Sequence, residues 1–166
     1  MDFQDNKNLA QVSTLMIKQQ LTLSVAESCT SGLLQMVFSQ AENSMSFYQG
    51  GLTAYNAGQK AKQLNVNPIF AEDCNSVSKD IAEKMALEVA SRFNSEMGIS
   101  VTGYAEPVPE DGIENSYAYI AITKFSKVLV SKRIMGNASA KLAGNQRIFA
   151  EKILDTLVQV LKKAEK

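Results

Sequence analysis

Leu21-Thr22-Leu23-Ser24-Val25-Ala26-Glu27-Ser28-Cys29-Thr30-Ser31-Gly32 is the stretch on which the reading of this chain turns. Its first six residues are rich in strand formers and alternate in part. After Gly32 the apolar positions Leu33, Leu34, Val37 and Phe38 change to helical spacing. A strand, a tight turn and a helix therefore follow one another, with Ser28 in the turn. At such a junction a serine oxygen can stand above the sheet while nearby backbone N–H groups face a reacting oxygen. Ser and Thr also close turns and cap helices, so a purely structural turn is the competing reading. Cys29 is either a second nucleophile or a buried small residue, and the chain has no histidine to activate it. Glu27 either orients the site or pairs at a surface.

Helical periodicity predicts a first helix over 9–19, with Leu9, Val12, Leu15 and Met16 as its packing stripe. Further along, a strand is expected at 51–55, a short helix at 59–64, and a helix at 79–93 capped by Ser78 with Asp80 in its first turn. Strands fit 99–101, 117–122 and 128–131, the last two pairing antiparallel across Lys124-Phe125-Ser126-Lys127. A final helix over 140–162 carries Phe149, Ile153, Leu157 and Leu161 on one side. Helices alternating with strands, and standing at both ends, predict an α/β chain folded as a single three-layer α/β/α sandwich with a mixed sheet.

A length of 166 residues, 45% hydrophobic and 20% charged, suits one domain spanning 1–166 with a core large enough to hold a pocket. Lys plus Arg equals Asp plus Glu at 17 each, so no global cationic field would recruit nucleic acid or an anionic membrane. The beginning lacks the basic-then-apolar order of a secretory signal, and no apolar run reaches membrane-spanning length. Cys29 and Cys74 have neither metal-site spacing nor the density of a disulfide scaffold, which reads as reduced thiols in a cytoplasmic protein. Glu72-Asp73-Cys74 reads as a loop and helix edge, and nothing in the spacing calls for a metal or another cofactor.

Two more segments carry candidate chemistry. In Gly50-Gly51-Leu52-Thr53-Ala54-Tyr55-Asn56-Ala57-Gly58-Gln59-Lys60, the lysine can act as a base only where burial or positive charge lowers its proton affinity. Exposed, it is a solvated head group. Tyr55 could share a proton network, close a nucleotide pocket or pack at a strand end, and Asn56 could hold substrate or form a turn. In Ser100-Val101-Thr102-Gly103-Tyr104-Ala105-Glu106-Pro107, Thr102 could contact an amide or phosphate and Gly103 could admit a ligand closely, or the pair could be a plain turn. The following loop, Pro107 through Gly112, is acidic and unfavourable to phosphate unless its carboxylates point away.

Taken together, the three segments resemble the CinA C-terminal family, which includes bacterial nicotinamide-nucleotide amidases. The similarity runs over nearly the whole chain. Its anchors are Ala26-Glu27-Ser28-Cys29-Thr30, Gly51 to Tyr55 with Lys60, Val77-Ser78 before Met85-Ala86, and Thr102-Gly103 with Pro107. The resemblance implies a three-layer fold and hydrolysis of the carboxamide of nicotinamide mononucleotide to nicotinic acid mononucleotide and ammonia. It makes Ser28 the nucleophile and Lys60 its base, with Tyr55 and Thr102 near the site. The turn from Glu27 through Cys29, Thr30, Ser31 and Gly32 becomes the region that steadies the oxyanion and meets substrate, alongside Asn56 and Gly103. It further implies a small-molecule nucleotide or amide as the partner and leaves homo-oligomer formation open.

Several positions depart from the family pattern. Thr-Gly-Gly becomes Thr30-Ser31-Gly32, Gly-Pro becomes Glu106-Pro107, and Glu110 to Tyr117 lacks a glycine pair and a Lys-Pro-X-Gly segment. Gly-Asp-Arg becomes Gly136-Asn137-Ala138, and a further family arginine falls near Leu142, leaving Arg133 and Arg147 as the cations that could approach the pocket by another route. Fewer arginines weaken the grip on a phosphate dianion. The alternative to an amidohydrolase is therefore a noncatalytic nucleotide-binding or regulatory protein that keeps the fold. An ordinary Lys60 pKa or an arginine-free cleft would favour the binder; a Ser28 to Lys60 hydrogen bond and a backbone oxyanion nest would favour the enzyme.

Overall fold

Parallel strands that are covered on both faces have no polar side, and β1 (Leu23–Glu27) is buried at every position. In the computed structural model, which describes residues 2–163, β1 lies inside a five-stranded sheet of order β2-β1-β3-β4-β5. It pairs in parallel with β2 (Tyr48–Thr53) and β3 (Met97–Tyr104). β4 (Tyr117–Lys124) and β5 (Lys127–Met135) then add on antiparallel, and the mixed sheet is as the sequence predicts. Phe125 and Ser126 both take positive φ in the hairpin turn.

Leu23 and Val25 face one core, with Leu9 and Met16 of α1 (Lys7–Lys18), Leu34 and Phe38 of α2 (Leu33–Ser39), and Phe149 and Ile153 of α6 (Leu142–Lys163). Ala26 faces the other, with Leu64 of α3 (Ala57–Leu64), Ala71 of α4 (Pro68–Asp73), and Ile81 and Met85 of α5 (Lys79–Arg92). Two apolar layers on opposite faces of one sheet complete the three-layer sandwich.

The structure adjusts several boundaries. α1 begins earlier than predicted because the Asn6 side chain accepts from the Asn8 and Leu9 amides. β3 and β5 outrun their predicted spans because pairing with β4 extends them along its length. α4 was not foreseen, although Asn67 caps it and Pro68 stands at its first position, a start signal written in the sequence. Ser78 does cap α5, accepting from the Ile81 amide.

α5 approaches the sheet most closely at Gly98, where an added Cβ would lie 2.0 Å from the Ala86 carbonyl oxygen. Gly98→Ala is therefore expected to force α5 off the sheet and cost about 1 to 3 kcal/mol. Urea unfolding would show this as a lower midpoint with an unchanged slope; an unchanged midpoint would mean that the helix has room to move.

The three parallel strands share one carboxyl edge. From it, α2 leaves β1 over one face while α3 leaves β2 over the other. Such divergence opens a crevice at the strand ends, where α/β proteins place ligands.

Candidate active site

A cavity of about 570 Å³ opens at that edge, and Ser28, Lys60 and Thr102 are among its lining residues. Asn56 caps α3 by accepting from the Gln59 amide, and this start aims Lys60 inward one turn later. Lys60 is 1% exposed, and its Nζ donates to Ser28 Oγ at 2.9 Å. Burial pulls its pKa down from 10.5 to about 8, against the opposing influence of the Cys29 and Cys74 thiols. A lysine that gives up its proton this readily can exchange it with the serine it touches.

The turn around Ser28 departs from its sequence reading at Glu27. Fully buried, this carboxylate neither lines the cavity nor pairs at a surface. It accepts from the amides of Gly32, Leu34 and Gln35 and from the Thr30 hydroxyl. Glu27 is thus the N-terminal cap of α2, and the helix amides it occupies are withdrawn from any oxyanion. Thr30 and Gly32 belong to the same cap, outside the cavity lining. Ser31 is exposed, with φ of 51°, so it neither crowds the pocket nor meets a ligand there. The amides of Cys29 and Thr30 have no oxygen acceptor among the described residues, and the Cys29 amide faces its own thiol.

Cys29 lines the cavity, but burial pushes its thiol up to about 12, which makes it a poor nucleophile. Thr102 is buried and donates its hydroxyl to the Ser76 carbonyl, tying β3 to the segment before α5 and leaving only lone pairs to offer a ligand. Gly103 lines the cavity, and a neighbouring strand also requires its lack of a side chain, since an added Cβ would stand 2.3 Å from the Tyr117 carbonyl oxygen. Tyr55 lines the cavity at 66% exposure and makes no hydrogen bond to Ser28 or Lys60. Asn56 lines it too, with its side-chain oxygen spent on the α3 cap.

Sequence reasoning missed Tyr104 and Asn75 as cavity residues. Asn75 Nδ2 donates to the Tyr104 hydroxyl at 3.0 Å, and burial raises the Tyr104 pKa. The signal for Tyr104 was its place shortly after a predicted strand; none marked Asn75, which follows the unforeseen α4.

Residues 5–161 match the family model described as the CinA C-terminal domain. The chain belongs to the CinA C-terminal domain family. A CinA-like protein of Rippkaea orientalis is 38% identical over 104 residues, 62% of this chain and 25% of that protein. One from Dictyoglomus thermophilum is 38% identical over 96 residues, 58% of this chain and 23% of that one. The chain thus spans a quarter of the length of the curated relatives it matches. Among solved structures, a CinA superfamily protein from Enterobacter cloacae superposes with TM-score 0.86 at 26% identity, covering 93% of this chain and 90% of that one. Another, from Klebsiella pneumoniae, reaches 0.89 at 19% identity, covering 98% and 99%, a likeness of fold.

In this CinA domain no arginine is among the described residues that line the cavity. Arg133 stacks on the Tyr117 ring at 3.7 Å, Arg147 pairs with Glu151, and Arg92 donates to the Gln63 carbonyl. Neither Arg133 nor Arg147 reaches the site by another route, and the cleft is arginine-free among the described residues. Gly136-Asn137-Ala138 also stands outside the lining; buried Asn145 accepts from the Asn137 amide and fixes the approach to α6. Among the described residues no set of His, Cys, Asp and Glu is grouped to hold a metal ion, and no helix is long and apolar enough to cross a membrane.

Proposed function

We propose that this chain is a serine amidohydrolase that cleaves the carboxamide of a nicotinamide nucleotide, giving the acid and ammonia. The observation that carries the reading is the buried Lys60 amine, its pKa lowered to about 8, within hydrogen-bonding distance of Ser28 Oγ. Family membership supplies the substrate class, because the resemblance includes nicotinamide-nucleotide amidases. Neutral Lys60 takes the Ser28 proton as Oγ bonds to the amide carbon, and the carbonyl electrons move to oxygen. Of the turn's amides outside the Glu27 cap, that of Cys29 belongs to the cavity lining, and it is the donor for that oxyanion. Collapse breaks the C–N bond, with the Lys60 proton leaving on ammonia. Water then attacks the acyl-enzyme, giving a proton to Lys60, which returns it to Ser28 as the acid departs. Exposed Tyr55 flanks bound substrate in this reading.

Two observations favour the second reading, a noncatalytic binder: the cleft is arginine-free among the described residues, and Glu27 already holds the α2 amides that would otherwise complete an oxyanion nest. Ammonia release from millimolar nicotinamide mononucleotide separates the two. The amidohydrolase is expected to form ammonia and nicotinic acid mononucleotide in equal amounts, and Ser28→Ala to stop both while remaining folded. Folded protein without turnover on any nicotinamide carboxamide would establish the binder instead.

A further inference from the structure

The charges around the cavity do not fit a phosphate. Apart from Lys60, whose amine is turned to Ser28, the charged residues lining it are Glu72 and Glu106. Glu106 is also committed in a telling way. Its Oε1 accepts from the amide of Leu142 at 3.1 Å, and Leu142, itself a lining residue, is the first residue of the 22-residue α6. The amino end of a long helix beside a cavity is the natural seat for a phosphate, because its amides are unpaired and its dipole favours negative charge. Here the protein supplies the negative charge itself. A dianion arriving at α6 would meet a carboxylate already on the first amide, with no arginine lining the cavity to offset the repulsion.

Resting on the amidohydrolase reading and narrowing its substrate, we propose that the cavity prefers carboxamides that carry no phosphate over the nucleotides that bear one, the rest of the molecule being neutral or cationic, and that Glu106 is the specificity-determining residue that disfavours phosphate. A pyridinium nucleoside amide has the required chemistry: its ring is cationic, its sugar uncharged, and the acidic mouth attracts the ring while nothing repels the tail.

Glu106→Gln removes the charge and keeps an oxygen able to accept from Leu142, so the start of α6 stays capped. The test uses nicotinamide mononucleotide and its dephosphorylated nucleoside as probes, with affinities measured calorimetrically on Ser28→Ala, where no turnover intrudes. The nucleoside is expected to bind about tenfold more tightly than the nucleotide at low salt, with the gap narrowing as salt rises. Adding Glu106→Gln should shift the ratio about tenfold toward the nucleotide, and adding Leu142→Arg should shift it further. Equal or tighter binding of the nucleotide to Ser28→Ala, a ratio unmoved by Glu106→Gln, or no binding of either probe would overturn the proposal. Turnover is assayed separately on the unmodified protein. Should neither probe release ammonia while the binding ratios come out as expected, the charge selection stands and the amidohydrolase reading falls.

Discussion

Replacing Lys60 by methionine is expected to lower ammonia release by about 10³-fold or more while making the folded chain more stable. Both effects come from the same burial. At 1% exposure the ammonium has lost its water, and the hydroxyl of Ser28 is the one hydrogen-bonding partner described for its head group. The lysine pKa falls from 10.5 to about 8 as a result. Between those values the unfolded chain holds a proton that the folded chain has released, so stability rises with pH across that window. Below pH 8 both states are protonated and the whole cost of the buried cation stands, on the order of 3 kcal/mol. Methionine fills a similar volume without the charge, so the variant should unfold at higher urea near pH 7 and lose the rise in stability above pH 8. The unmodified protein should show the kinetic counterpart. Only about a tenth of Lys60 is neutral at pH 7, so kcat/KM climbs nearly tenfold per unit below pH 8 and levels off above it. A methionine variant within tenfold of the unmodified rate, or a flat pH profile across about pH 6 to 9, would remove Lys60 from the chemistry.

That a lysine would serve here is only half visible in the sequence. The order of segments is local information: the strand before Ser28, the short helix that carries Lys60 and the third strand all announce themselves through propensity and spacing, and they bring Ser28, Lys60 and Thr102 to one edge. What each side chain does there depends on partners far away in sequence. Thr102 looks like a ligand donor until the Ser76 carbonyl is found opposite it. Gly103 does line the cavity, and β4 laid against it gives a second reason for its missing side chain. Arg133 is free to approach the pocket in one dimension, and the ring of Tyr117, folded beneath it by strand pairing, holds it elsewhere. Glu106 and Leu142 are 36 residues apart, and only the return of α6 to the cavity makes them a pair. α4 is a different case: its Asn67-Pro68 start was legible, and the short, weakly apolar run behind it concealed the helix.

Glu27 is the residue whose role changed most, and its removal should have the largest effect on the fold. Glu27→Ala is expected to cost about 3 to 5 kcal/mol, enough to unfold a domain of ordinary stability at moderate urea. The side chain sits at the end of β1, and the chain doubles back through positive φ at Ser31 and Gly32, which brings the first turn of α2 over its carboxylate. Three amides and one hydroxyl converge there. Alanine leaves these donors unpaired, those of Thr30 and Leu34 buried, at the positive end of a seven-residue helix too short to stand without its cap. Glu27→Gln is the informative partner. It keeps one acceptor oxygen but sets its NH2 group against a backbone donor, so it should fall between the two, at about 1 to 3 kcal/mol. Hydrogen exchange gives the decisive readout. The amides of Leu34 and Gln35 should lose protection in both variants before the core strands do, because the cap fails locally first. Uniform loss of protection across the sheet, with α2 no worse than β4, would mean that Glu27 matters to the core as a whole and does not act through the helix it caps. Because Ser28 lies between the capping carboxylate and the helix it caps, either variant that remains folded should also weaken the Ser28 to Lys60 contact, lowering kcat more than it raises KM.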